Sequence, residues 1–92
     1  MALHLSGDGQ RLEIRGDMTM YQVPELLDGL TSYRGVTHVD LHAVDRVDSS
    51  ALALLLALSR AAGGATVTVY HAPQALRALS DLYGLHSLFW VV

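Results

Sequence analysis

No cysteine occurs among the 92 residues, so neither a disulfide framework nor a thiolate metal site is available. Core packing alone must hold the fold, which suits a reducing compartment. Lysine is absent too: the six basic residues, Arg11, Arg15, Arg34, Arg46, Arg60 and Arg77, are scattered arginines in a chain of net charge −3. A nucleic-acid binder needs a concentrated positive field, so no nucleic-acid partner is expected. No apolar run approaches the roughly 20 residues of a membrane span, and the N-terminus shows no basic region leading into an apolar one. The expectation is a cytoplasmic chain without direct membrane insertion. There is no Gly-x-Ser-x-Gly elbow, so Ser49 beside Asp45 and Asp48 does not read as a hydrolytic nucleophile, and no catalytic residue is expected.

What the chain does have is hydrophobic content, 51 % of residues. That is high for a small domain, and part of it can belong to a partner interface. The length fits one domain over residues 1–92. Two short alternating runs around Gly7-Asp8-Gly9 predict an N-terminal hairpin. Val23, Leu26, Leu27 and Leu30 fall at helical spacing, Pro24 suits a first turn, and Gly29 weakens the end. "GVTHVDLHAV" alternates as a strand, and a helix from about Ser50 to Ala62 stops at Gly63-Gly64. "ATVTVYH" reads as a strand. A helix opening at Pro73 and closing at Gly84 places Leu76, Leu79, Leu82 and Tyr83 on its inner face, and the apolar "HSLFWVV" gives a last strand or a docked extension. This order implies an α/β fold, a mixed sheet of four to five strands with three or more helices packed on it.

The five histidines suggest no metal. His38 and His42 are four apart, but on a strand at roughly 3.3 Å per residue that is about 13 Å, too far to share an ion. His4, His71 and His86 have no local partner, and no cofactor is implied.

The strongest local signal is Asp48-Ser49-Ser50. Asp and Ser are preferred helix N-caps because their side-chain oxygens accept from the unpaired N–H groups of the first turn. A cap accounts for one of the three polar residues. A hydroxyl at that position also sits where the helix dipole tolerates an anion, so cap alone and cap with a phosphate switch both stand. Behind it, Leu52, Leu55 and Leu56 share one face of the helix, as packing on a sheet requires. Leu54 and Leu58 point nearly the opposite way, with Ala51, Ala53, Ala57 and Ala61 between. Either another element of the chain covers that second apolar face or, as preferred here, a partner protein does.

"GVTHVDLHAVDRVDSSALALLLAL" resembles the centre of the STAS domain family, in which a strand runs through a loop into Asp-Ser/Thr-Ser/Gly-Gly/Ala-Leu at a helix start. The resemblance implies that family's fold and a non-enzymatic protein-binding role. In its anti-sigma factor antagonists the hydroxyl after the Asp is the phosphoacceptor of a serine kinase that is also the anti-sigma factor. That residue here is Ser49. In a second branch, a small STAS protein is the cytoplasmic accessory subunit of an Mla-type phospholipid-transport ABC complex, and the same loop and helix contact the ATPase. The Leu-rich helix, the "PQALRALSDLYGL" ending and the compact length look more like the second branch, and Ala51 stands where antagonists usually carry Gly. The expected partner is therefore an ABC ATPase subunit, the alternative an anti-sigma factor or serine kinase, and a second copy of the chain is also open. The expected contacts are Asp48, Ser49, Ser50 and Ala51, with Leu54 and Leu58 as apolar anchors and Arg46 and Arg60 as rim charges.

Overall fold

The computed structural model describes residues 2–64, 66–84 and 89–91, with the backbone alone at 30, 31 and 89–91. Five strands form one sheet in chain order: β1 (Ala2–Leu5), β2 (Arg11–Met18), β3 (His38–Val47), β4 (Val67–Tyr70) and β5 (Phe89–Val91). The first pair is the antiparallel hairpin expected around Gly7-Asp8-Gly9. Its turn is tied by the Ser6 hydroxyl and the Gln10 N–H, both donating to Asp8 Oδ1 at 2.6 and 3.0 Å. The remaining neighbours are parallel and are joined by α1 (Val23–Leu27) with a 3₁₀ turn at Leu30–Tyr33, α2 (Ser49–Ala61) and α3 (Gln74–Tyr83).

Parallel strands in sequential order have a geometric consequence. Crossovers between parallel strands are right-handed almost without exception, so every connecting helix lands on the same face of the sheet. The packing agrees: α2 lies centrally, touching α1, the 3₁₀ turn, α3, β4 and β5. Residues pointing to that face are the core, among them Leu12, Ile14 and Met18 of β2, Val39, Leu41 and Val44 of β3, and Val67 and Val69 of β4. The period-two rhythm of β3 skips a step between Leu41 and Val44 because its register against β2 shifts between Glu13 and Arg15 and again between Gly16 and Met18. These bulges carry the strand to Val47, past the Val44 end of the alternating run.

The helix boundaries follow local chemistry. Pro24 sits in the first turn of α1, and the chain breaks at Gly29 into the 3₁₀ turn. Gly84 closes α3 in the left-handed conformation at φ 64°, the position that glycine occupies without a Cβ penalty. Two expectations are corrected here. Leu82 and Tyr83 are 75 % and 57 % exposed, while Leu76 is fully buried. The inner face of α3 follows Leu76, Leu79 and Ser80. Leu82, two places past Ser80, is rotated by about 200° and points away, and Tyr83 lies open as the last residue of the helix. Leu54 and Leu58 are 2 % and 0 % exposed, so they do not face outward. Helix α2 is flanked on both sides by other helices as well as backed by the sheet, and its buried arc therefore runs from Leu54 through Leu58, Ala51 and Leu55 to Leu52. Of the face assigned to the sheet, Leu56 is only half-buried.

Candidate functional site

At about 100° per residue, the remaining arc of α2 carries Ser49, Ala53, Leu56, Ala57 and Arg60. Ser49, Ala53 and Arg60 are exposed, and Leu56 and Ala57 are half-buried. This stripe begins at the Asp48-Ser49-Ser50 loop. The structure separates the roles of those three residues.

Asp48 is the N-cap, in extended conformation, and its Oδ1 accepts from the Ser50 N–H at 2.9 Å and from the Ser50 hydroxyl. Its Oδ2 accepts from the backbone N–H of Met20, 28 residues earlier, at 2.9 Å. The Asp48 N–H in turn donates to the Met18 carbonyl at 3.3 Å. Asp48 therefore fastens the turn after β2 to the start of α2. These bonds stabilise its charged form, first the Ser50 hydroxyl and then the Met20 N–H, and hold its carboxyl below the usual carboxylate range. Ser50 is half-buried and committed to that carboxylate. Ser49, the first residue of α2, is exposed, and its hydroxyl makes no hydrogen bond to the described residues.

The turn beside it was not legible as part of a site. Thr19 and Gln22 bond to one another through their side chains, and the N–H groups of Gln22 and Val23 donate to the Thr19 carbonyl at 3.0 and 2.9 Å. At the apex of this closed turn, Met20 and Tyr21 are 62 % and 84 % exposed. Large apolar side chains that a structure leaves this open next to a polar cap mark a surface able to receive another molecule. In the sequence Met20 and Tyr21 open the stretch "MYQVPELLDGL", whose spacing reads as a short amphipathic helix, whereas the helix begins only at Val23.

The other expected residues divide. Ala51 is fully buried and is corrected from contact to core, as Leu54 and Leu58 are. Arg46 is exposed at the end of β3, its N–H donating to Asp17 Oδ1 at 3.2 Å. Arg60 lies at the far end of the exposed stripe. Both arginines are open to solvent at opposite ends of the loop-and-helix unit.

A second polar cluster occupies the face of the sheet opposite the described helices. Asp40 Oδ1 accepts from the His42 N–H at 3.0 Å, the His42 Nδ1 at 3.1 Å and the His71 Nδ1 at 3.2 Å. Burial works to raise the Asp40 carboxyl, but the His42 N–H and the two imidazoles outweigh it and the net shift is downward. His71, which has no local partner, thus meets one 31 residues away and stays exposed. It adopts the left-handed conformation at φ 56°, at a cost on the order of 1 kcal/mol for a non-glycine residue. His38 does not join this cluster and stacks on Tyr70 instead, at 5.9 Å between centroids. His86 lies outside the described residues. Among the described residues no group of three or more His, Asp or Glu is arranged to hold a metal ion, and no helix is long and apolar enough to cross a membrane.

Known proteins bear on the loop and helix. Comparison with curated protein sequences finds no match. Among solved structures, the chain is similar to the anti-sigma factor antagonist SpoIIAA in its unphosphorylated form, with a TM-score of 0.69 at 14 % identity over 99 % of this chain and 86 % of that one. At that identity the likeness establishes the fold. Residues 1–91 match the family described as "Mlab, STAS domain". The mixed sheet with its helices is thus the fold of a STAS domain, and the chain belongs to that family.

Proposed function

We propose that this chain is a non-enzymatic docking subunit: the accessory STAS subunit that binds and regulates the ATPase of an Mla-type phospholipid-transport ABC complex. The family description supports this branch, and the STAS fold supports a protein-binding role. One observation carries the choice of surface. Of the three polar residues at the start of α2, Asp48 and Ser50 are used up by the cap, whereas Ser49 is exposed and heads an outward stripe of small residues ending at Arg60. Small side chains let a partner's backbone or helix approach closely, Met20 and Tyr21 supply apolar contact area, and Arg46 and Arg60 supply rim charge. In this reading the protein is cytoplasmic and reaches the membrane only through the transporter.

The test is affinity purification of the tagged chain from its own cells. An ATPase with Walker motifs is expected to co-purify, and Ser49→Glu is expected to weaken the complex. Recovery of a serine kinase without an ATPase overturns the assignment. That outcome belongs to the second reading, a phospho-switched anti-sigma factor antagonist, which is favoured by the SpoIIAA-like fold together with an uncommitted hydroxyl at a helix N-terminus. There, incubation with the cognate kinase and nucleotide adds the mass of one phosphate, confined to Ser49. An unmodified Ser49, with the kinase active on another substrate, rejects it.

A further inference from the structure

The proposed docking surface is made of two chain segments 28 residues apart, and Asp48 is bonded to both of them. We infer that Asp48 is a positioning residue that holds the Met20-Tyr21 turn in register with the start of α2, and that negative charge placed on Ser49 acts through it, by loosening its grip on the Met20 N–H. The inference rests on the docking reading for its importance to a partner, but its physical content lies within the free chain.

The two oxygens of Asp48 are divided between the two segments. Oδ1 serves α2 through the N–H and hydroxyl of Ser50, and Oδ2 serves the turn through the Met20 N–H. The turn closes on itself through Thr19, Gln22 and Val23, so it moves as a unit. Two hydrogen bonds of Asp48 cross this junction: Met20 N–H to its Oδ2, and its own N–H to the Met18 carbonyl. The second lies at the end of the strand ladder, so the first alone fixes the apex where Met20 and Tyr21 are exposed. Ser49 is covalently next to this carboxylate. A new anion there repels Asp48 and also competes for the same first-turn N–H groups, since helix N-termini attract negative charge from either source. The Ser50 side has two donors and the helix dipole to retain the carboxylate. The Met20 side has one N–H, so it yields first. A charge on Ser49 then does more than obstruct a partner directly: it also releases an apolar contact pair that belongs to the same surface.

Amide hydrogen exchange on the free, full chain at constant neutral pH tests this without any partner. Asp48→Asn keeps the shape but only one acceptor oxygen, which the two Ser50 donors claim. Exchange at Met20 is expected to rise about tenfold, as loss of one charge-assisted hydrogen bond implies. Ser49→Glu is expected to raise Met20 exchange several-fold over Ser49→Gln, which adds the same bulk without charge, while amides of β2 and β3 stay protected in both. Equal Met20 exchange in the Glu and Gln variants overturns the inference, as does unchanged Met20 exchange in Asp48→Asn. Should Asp48→Asn not fold, the Glu and Gln pair decides alone. Normal coupling together with failure to bind an ATPase or a kinase would reject the docking reading and leave the latch standing.

Discussion

Both sides of α2 carry leucine and alanine, yet one is core and the other is surface. On one side Ala51, Leu52, Leu54, Leu55 and Leu58 are all 4 % exposed or less. On the other, Ser49, Ala53 and Arg60 face solvent, with Leu56 and Ala57 at the margins. Residue type alone does not decide which is which, since Ala51 is buried and Ala53 exposed. What separates them is the setting: a helix bounded by the sheet beneath and by helices on both flanks buries a wide arc, and only the strip pointing away from all three stays open. Side-chain size then follows the setting, with leucine where space must be filled and alanine where something else can approach.

The largest expected effect breaks the buried side. Leu58→Ala, or Leu54→Ala, should cost about 2–5 kcal/mol in denaturant unfolding, the loss expected for a fully buried leucine, whereas an outward anchor would have changed stability little. Next comes the junction between the two sides. The carboxyls of Asp8, Asp40 and Asp48 are held below their ordinary value near 3.8. A carboxyl lowered by folding contributes stability that is complete above its unfolded value and is lost as pH falls through its folded one. Unfolding midpoints should therefore be flat from neutral pH down to about pH 5 and fall below about pH 4. Asp48→Asn should flatten that acid-side fall. The two serines sharpen the contrast further. Ser50→Ala removes a bonded, half-buried hydroxyl and should cost about 1 kcal/mol. Ser49→Ala should stay within about 0.5 kcal/mol, because the exposed hydroxyl has no bond to lose.

Much of the fold was legible because local chemistry and global topology agree. The turn at Gly7-Asp8-Gly9, the strand patterns, Pro24, the Asp48 cap, Gly63-Gly64 and Gly84 each punctuate the chain where the structure does. The orientation of α2 was not legible. With leucines on nearly every side, the helical wheel has no single apolar stripe, and choosing Leu52, Leu55 and Leu56 as the inward face turned the helix by less than one residue's step of about 100°. That small rotation was enough to put Leu54 and Leu58 outside. The site was half legible. Asp48 and Ser49 declared themselves through capping chemistry, but Met20 and Tyr21 join them through a hydrogen bond spanning 28 residues. The Asp40, His42 and His71 cluster was hidden for the same reason, since His71 reaches Asp40 from a different strand end. Contacts between distant segments have no signature in local spacing.

The most direct measurement pairs binding with stability at Ala53, in the middle of the open strip one turn from Ser49. Ala53→Arg should leave the unfolding free energy within about 0.5 kcal/mol of the wild type, as for an exposed helical position, and should weaken binding to the co-purifying ATPase at least about tenfold by placing a long charged side chain in the contact. Wild-type affinity in a stably folded Ala53→Arg chain would contradict the account, because it would mean that partners do not dock on the outward face of α2.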